Sequence, residues 1–569
     1  MGYALSITWK DSKKGRASVA LLASFLTLSM FAARPGSDTG AAVRDMVSVI
    51  VREMPGAGAA PERLVQSVGG SVGRQISLIG GFVADVPQSE VIRLKFAPYV
   101  HSVTPNQEIR LHNHTGDGYE DKTDMGSLYN SAISIRASDL HRQGVTGRGV
   151  DVAVVDTGVA PVNGLSASGK VVNGADLSFE GAHPNVRYLD TYGHGTHMAG
   201  IIAGRESEVA DGAESYDDKH LYGIAPGARV VNVKVAGASG ATDVSQVIAG
   251  IEWVVRHRNA GGLNVRVLNL SFGTDGVQDY VLDPLSYAVE QAWHRGVVVV
   301  VSAGNEGFGD ARLNNPAYNP YVLAVGANDT KGTFNINDDV IPDWSSRGDG
   351  VRNPDVVAPG KSIVSLRTEG SDIDMRHPEG RVGTAGSERY FKGSGTSQAA
   401  AMVSGAAALM LQARPSLTPD QVKYLLKTTA RRLPAADPVA QGAGLLNVKD
   451  AASGSLSGFV PQSFPRSTGA GSLDAARGTG RLMDDNGVVL DGERDFMGET
   501  WDGIRWSGCL ATLSCDYWDG IRWSESDWAG IRWSGIRWSG IRWSGEQWDG
   551  IRWSGIRWSG IRWSGSSWE

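Results

Sequence analysis

The stretch Val152-Ala153-Val154-Val155-Asp156-Thr157-Gly158 is an apolar run that stops on a carboxylate, a hydroxyl and a glycine. A run this short and this rich in Val reads as a buried strand, and its polar end is delivered to a loop. Comparable runs follow at Arg229–Val235, Val265–Leu270 and Val297–Ser302. Among them lies Asp243–Arg258, which sets Val244, Val247, Ile248, Ile251, Val254 and Val255 on one helical face with Asp243 placed to cap it. Strands and helices alternate from about Ile135 to about Ala452, which predicts an α/β domain with a mostly parallel sheet covered on both faces. Ligands of such sheets bind outside the carboxyl ends of the strands. Asp156 and the Gly-containing loop Ser302–Gly307 are therefore where chemistry is expected.

Two further segments supply reactive groups. Gly193-His194-Gly195-Thr196-His197 opens one helix of small and apolar residues, and Gly395-Thr396-Ser397-Gln398-Ala399-Ala400 opens another. A serine hydroxyl is a weak nucleophile until a histidine accepts its proton, and the histidine needs a carboxylate to fix its tautomer and stabilise the imidazolium. A serine on the first turn of a helix also gains from the positive end of the helix dipole, where an oxyanion would form. His197 stands three residues after His194, which is not the spacing of a His-Glu-x-x-His metal helix, and it reads as structural.

Taken in the order Asp, His, Ser, these motifs resemble the subtilase family of serine peptidases, over the region from about Ile135 to about Leu426. The resemblance implies a subtilisin-like three-layer fold and a secreted serine endopeptidase that works through an acyl-enzyme, with no cofactor required for the chemistry. It makes Asp156 the orienting carboxylate, His194 the general base and then acid, and Ser397 the nucleophile. Asn305 matches the family residue whose amide joins the Ser397 N–H in the oxyanion hole. Ser271, Phe272 and Gly273 on one side, with Ala303 and Gly304 on the other, would edge the pocket for the residue before the scissile bond and pair with an extended polypeptide substrate. Glu306, near that pocket, would make basic or polar residues acceptable there. Subtilases usually carry Met directly after the nucleophile and Pro a little later, where this chain has Gln398 and Ala401.

The rest of the chain bounds the partners. A net charge of −7 argues against nucleic acid, whose binding depends on clustered Lys and Arg. Lys10, Lys13, Lys14 and Arg16 precede an uncharged stretch from Ala17 to Ala33, so residues 1–33 read as a signal peptide of a secreted or cell-surface bacterial protein. Residues 46–111 alternate β-rich and helical runs, namely Met46–Arg52, Pro61–Val68, Gly81–Val86 and Ser89–Phe96, before an extended Tyr99–Arg110. That order predicts a small ferredoxin-like α+β module. By the family resemblance it would be an inhibitory prosegment acting on the chain's own catalytic domain, 135–452, with maturation between His112 and Lys122. Between Gly204 and Tyr222 lies an insertion carrying Glu206, Glu208, Asp211, Glu214, Asp217 and Asp218, which reads as a solvated loop with structural calcium as the alternative. The metal ligands are not assigned.

After Ala452 the composition shifts to Gly, Ser and Asp, so 453–500 reads as a linker with one small β element at most. The last part, 501–569, is a Trp-rich repeat tail in which Trp recurs at every fifth position from Trp518 through Trp568. Thirteen of the seventeen Trp residues lie there, too uneven a distribution for an ordinary core. A five-residue period keeps Trp on neither one helix face nor one strand face. A solenoid of short turns, or a chain that orders on binding, fits better, and Arg beside Trp suits contact with carbohydrate or the cell envelope. A second functional reading makes those repeats the working part of a surface adhesion or structural protein, with the protease fold as scaffold. Cys509 and Cys515, the only cysteines, are close enough in sequence to bridge in an oxidising compartment.

Overall fold

The computed structural model describes residues 46–518, apart from 77–79, 107–121, 182, 207–212, 309–311, 384–387, 483–488 and 516. The expected signal peptide, the segment 112–121 and the repeats after Trp518 lie outside the described residues, as do Glu208 and Asp211. The chain divides into two compact units, residues 1–108 and 109–569.

In the first unit, strand β1 (Met46–Glu53) is followed by helix α1 (Ala60–Ser67), β2 (Ser71–Ile76), β3 (Gly81–Pro87), α2 (Val91–Lys95) and β4 (Val100–Pro105). They form one antiparallel sheet in the order β2-β3-β1-β4, which puts the first-born strand inside it. Val49, Val51, Val65, Phe82, Ala84, Val86 and Leu94 make its core. Period-two alternation in β1 and β3 sends Val49, Val51, Phe82 and Ala84 to the helix-covered face. Strand β2 is mostly exposed, and its sequence Ser-Val-Gly-Arg-Gln-Ile gives no clear apolar alternation, which is why the sequence pattern named no strand there.

The second unit is built on seven parallel strands. After helices α3 (Leu128–Ser134) and α4 (Ala137–His141) come β5 (Asp151–Asp156), β6 (Val171–Asp176), helix α5 (His194–Ala203), β7 (Arg229–Lys234), α6 (Val244–His257), β8 (Val265–Leu270), α7 (Pro284–His294), β9 (Val298–Ser302), β10 (Leu323–Asn328) and β11 (Val356–Pro359). Their order across the sheet is β11-β10-β9-β8-β5-β7-β6. The first strand of this sheet in chain order, β5, is therefore flanked by β8 on one side and β7 on the other, and the crevice at their carboxyl ends begins at Asp156. Every residue of β5 and β9 is buried, as expected of parallel strands covered on both faces. A smaller antiparallel sheet joins β12 (Ile363–Leu366), β13 (Arg381–Val382) and β14 (Tyr390–Gly393), with the short helix α8 (Asp372–Arg376) in the connection.

Helix α6 begins where the sequence placed its cap. Asp243 Oδ1 accepts from Ser245 N at 2.9 Å, and Gln246 Oε1 reaches back to Asp243 N at 2.7 Å, a closed capping box. Helix α9 (Thr396–Ala413) runs through the middle of the domain with Thr396 through Leu411 all buried, followed by α10 (Pro419–Thr428) and α11 (Val448–Ser453).

The expected linker, 453–500, and the first part of the expected repeat tail, 501–518, are described together. They carry helices α12 (Leu473–Arg477) and α13 (Gly503–Thr512) and lie against α6 and α7. The Arg477 guanidinium is completely buried and bonded to Asp243 at 2.6 Å, while Trp506 is fully buried in the main core. A Gly/Ser-rich composition misses this because a few long-range anchors, not average hydrophobicity, fix the segment. Cys509 and Cys515 form a disulfide that closes the turn after α13.

Candidate active site

Asp156 is the last residue of β5 and His194 the first of α5. The His194 Nδ1–H donates to Asp156 Oδ1 at 2.6 Å, and both side chains are excluded from solvent, at 0% and 1% exposure. The same oxygen accepts from Thr157 N at 2.8 Å, so the carboxylate is fixed before the imidazole reaches it. With Nδ1 holding the proton, Nε2 is the basic nitrogen of the ring.

The turn that carries His194 is held by residues that the motif pattern did not single out. Asp190, buried, accepts from Gly193 N and Thr196 N at 2.7 Å each and from the Thr157 hydroxyl at 2.7 Å. Thr157 Oγ1 in turn accepts from Gly195 N at 2.9 Å. One carboxylate thus ties the Asp156 turn to the first turn of α5, where a negative group is also favoured by the helix dipole. Burial raises the Asp190 pKa, against the pull of those hydrogen bonds. The available signal was an Asp four residues before His194, just ahead of a helix start whose N-cap is Gly193. Behind it, Lys234 and Glu180 form a buried ion pair at 2.6 Å, and Glu180 Oε2 also takes the Thr191 hydroxyl at 2.7 Å. Gly193 has φ +109°, and a Cβ there would sit 2.6 Å from Ser371 Oγ, so a side chain would be strained and crowded at once.

Ser397 is the second residue of α9 and is buried. The loop after β9 meets this helix end through Asn305, whose Oδ1 accepts from Thr396 N at 2.9 Å and from the Thr396 hydroxyl at 3.0 Å. A backbone N–H can only donate, so the amide oxygen faces Thr396 and the Nδ2 donors turn the other way. Gly304 N lies 3.3 Å from Thr396 Oγ1 and completes the junction. The structure thus brings Asp156 together with His194, and Asn305 together with the residue preceding Ser397. It packs the two helices α5 and α9 side by side.

Ser271, Phe272 and Gly273 follow β8, and Ala303 and Gly304 follow β9, so the two predicted edges leave adjacent paired strands. Ser271 Oγ lies 3.4 Å from the Ser397 carbonyl oxygen, a weak contact that joins one edge to α9. The Phe272 and Ala303 side chains are part of the core, so these two positions can offer substrate only their main chain. Gly304 has φ +113°, and a Cβ on it would meet Glu306 Oε2 at 2.4 Å. The Glu306 carboxylate therefore lies against the Gly304 edge, where the Ser346 hydroxyl donates to it at 3.1 Å.

His197 is buried, and burial first, then the neighbouring His194, lowers its pKa to about 3. It stays neutral at ordinary pH and adds no charge beside the Asp156–His194 pair. Gln398 is buried, with neither end of its amide bonded to a described residue, and Ala401 lies inside an unbroken α9. An Ala there keeps the helix N–H that a Pro would remove.

In the acidic insertion Glu206 accepts from Leu221 N and the Tyr390 hydroxyl, Glu214 pairs with Arg205, Asp217 with His220 and Tyr222, and Asp218 with Lys122. These carboxylates cross-link the loop to protein partners. Among the described residues no group of three or more His, Cys, Asp or Glu is placed to hold a metal ion.

Strand β5 ends on a carboxylate bonded to the histidine that opens α5, and α5 packs against α9, which carries serine in its first turn; these are features that a serine hydrolase requires. The subtilase family model matches residues 147–451, and the chain belongs to that family as a subtilisin-like serine protease. The serine protease AprX of Bacillus subtilis (strain 168) is 38% identical over a region that spans 56% of this chain and 70% of that protein. Subtilisin Savinase of Lederbergia lenta is 34% identical over 56% of this chain and 96% of its own length. The crystal structure of a cold adapted subtilisin-like serine proteinase is 31% identical, with a TM-score of 0.40 over 53% of this chain and 90% of that one.

Proposed function

We propose that the chain is a self-processing, secreted endopeptidase in which Asp156, His194, Ser397 and Asn305 carry the reaction. The observation that bears most weight is the buried 2.6 Å bond from His194 Nδ1 to Asp156, which leaves the other ring nitrogen to act as base. Ser397 Oγ attacks the carbonyl of the scissile peptide while His194 Nε2 takes its proton, and the imidazolium is stabilised by Asp156. The tetrahedral oxyanion accepts hydrogen bonds from the Ser397 N–H and Asn305 Nδ2. The amide orientation at Thr396 supports that role, because it aims the donors of Asn305 away from its own scaffold. His194 then protonates the leaving amine, and a water, activated by the same nitrogen, hydrolyses the acyl-enzyme. No step calls for a metal or cofactor.

Polypeptides are the substrates, bound through main-chain groups of Ser271–Gly273 and Ala303–Gly304, with Glu306 admitting a basic or polar residue before the cut bond. The module 46–111 serves as the inhibitory prosegment, a reading supported by the compact βαββαβ fold of its described residues upstream of the catalytic body and by the family. Secretion rests on the basic and apolar composition of residues 1–33.

Casein digestion by the purified full chain tests the reading. Hydrolysis that is blocked by a serine-directed covalent inhibitor and lost in Ser397→Ala is expected. The loss should approach the roughly 10⁶-fold in turnover that the same change costs in subtilisin. A Ser397→Ala chain that digests casein at the parent rate removes the triad assignment. An inert parent chain favours the adhesion reading instead.

A further inference from the structure

The Trp-rich end of the chain is described as far as Trp518, and the way that part is held is specific. Trp506 Nε1 donates to Glu252 Oε2 at 2.9 Å, and Trp518 Nε1 donates to the same oxygen at 3.1 Å. The other oxygen of Glu252 takes two bonds from Arg256, at 2.8 and 2.6 Å. Glu252 lies in α6 and is fully buried, where a carboxylate needs such donors to remain charged. An indole suits the place because it brings a large apolar body and one N–H. Tyr287 of α7 stands edge-on to Trp506 with 5.4 Å between ring centroids, and its hydroxyl donates to Ser507 O at 2.9 Å. Asp502 caps α13 by accepting from Arg505 N at 3.0 Å. Arg295 of the body donates to the Leu510 and Ala511 carbonyls in the helix's last turn, at 2.9 and 2.7 Å.

What this groove holds is Trp501-Asp502-Gly503-Ile504-Arg505-Trp506-Ser507-Gly508. The same eight letters recur from Trp548 to Gly555, and the first seven recur from Trp518 to Ser524. Further units starting at Trp533, Trp538, Trp553 and Trp558 differ only by Ser in place of Asp at the second position. Ser and Asp are equally good helix caps, so the change keeps the function of that residue. Each chain therefore has one groove and several sequences that match its occupant.

We propose that the tail repeats are further copies of the docking segment and that they seat in the Glu252–Tyr287 groove of a second copy of this chain. The chain's own segment already fills the groove, so a tail unit enters by exchange. Exchange of identical elements conserves the contacts made, which is the low-cost route by which domain swapping forms oligomers. Several equivalent units on each chain then favour linkage among many copies, because each further engagement becomes intramolecular once a first has formed.

Sedimentation velocity on the full chain carrying Ser397→Ala, which limits self-digestion, tests this without relying on activity. Concentration-dependent oligomers are expected. A full-length variant with the tail Trp residues from Trp523 to Trp568 changed to Ala should sediment as a monomer with its body unaltered. Excess synthetic Trp-Asp-Gly-Ile-Arg-Trp-Ser-Gly should dissociate the parent oligomers, and the same peptide with both Trp replaced by Ala should not. A parent chain that stays monomeric at every concentration overturns the proposal, as do oligomers that survive the tail substitutions or ignore the peptide. A monomer that instead binds insoluble cell-wall polysaccharide through its tail overturns it in favour of a carbohydrate ligand.

Discussion

The loops at the carboxyl end of the sheet and the segment 453–518 are both fixed by buried polar contacts, yet they were not equally visible beforehand. In the loops the polar residues sit in short motifs, each with a strand or helix beside it, and the chemistry can be reasoned from residues a few positions apart. In the C-terminal segment each anchor pairs with a residue more than two hundred positions away: Arg477 with Asp243, Trp506 with Glu252. The bonds are of the same kind, but the site's residues sit in motifs that can be read one at a time, even though Asp156–His194 and Asn305–Thr396 are themselves 38 and 91 positions apart. The comparison also links the two regions, since Asp243 caps α6 at one end of the segment's footprint while Glu252 holds it from the middle of the same helix.

The largest expected effect tests whether the segment is structural or an appendage. Arg477→Ala leaves Asp243 as a buried, half-unpaired carboxylate at a helix cap, and breaking such a pair costs about 3–5 kcal/mol. Denaturant unfolding monitored by Trp fluorescence should show a midpoint lowered accordingly. An unchanged midpoint would mean that 453–500 is a linker after all.

Asn305→Ala probes the other region and should act on rate rather than stability. Loss of one such donor typically lowers kcat by about 10²–10³, a magnitude taken from subtilisin, with little change in KM. A raised KM at unchanged kcat would assign Asn305 to substrate binding. The contrast sharpens if Arg477→Ala leaves kcat near that of the parent at a temperature where both are folded.

A smaller effect comes from His197, whose pKa is lowered by burial to about 3. The unfolded chain takes up this proton near pH 6.5 and the folded chain does not, so the unfolded state binds more protons between those values and the contribution to stability falls as pH falls. Three buried carboxyls, Asp283, Asp339 and Asp495, are raised by burial to about 6 and act in the opposite sense. They are common to parent and variant. The difference in unfolding free energy between the parent and His197→Gln, measured from pH 7 to pH 4, should therefore shift by about 2–3 kcal/mol against the parent in acid. A flat difference would show that His197 is protonated in the fold or reached by solvent.

The sequence determined four of the seven strands of the parallel sheet, β5, β7, β8 and β9, while β6, β10 and β11 were not read from it. The predicted run Val152–Val155 lies inside β5 (Asp151–Asp156), Arg229–Val235 covers β7, and Val265–Leu270 coincides with β8, because buried parallel strands must be apolar on both faces and so announce themselves as short Val-rich runs. It also determined the α6 cap, since a cap is a local arrangement of four residues. The tertiary structure alone decided that Asp190 braces the His194 turn from Thr157, that Phe272 turns its ring into the core, and that the acidic insertion spends its carboxylates on Tyr390, Arg205, Tyr222 and Lys122. It alone decided that a Gly/Ser-rich stretch folds onto α6 and α7. The physical reason is the same in each case. Apolar burial follows a period that can be read along the chain, whereas a buried polar group is satisfied by whichever partner the fold brings within 3 Å, and that choice leaves no periodic trace in the sequence.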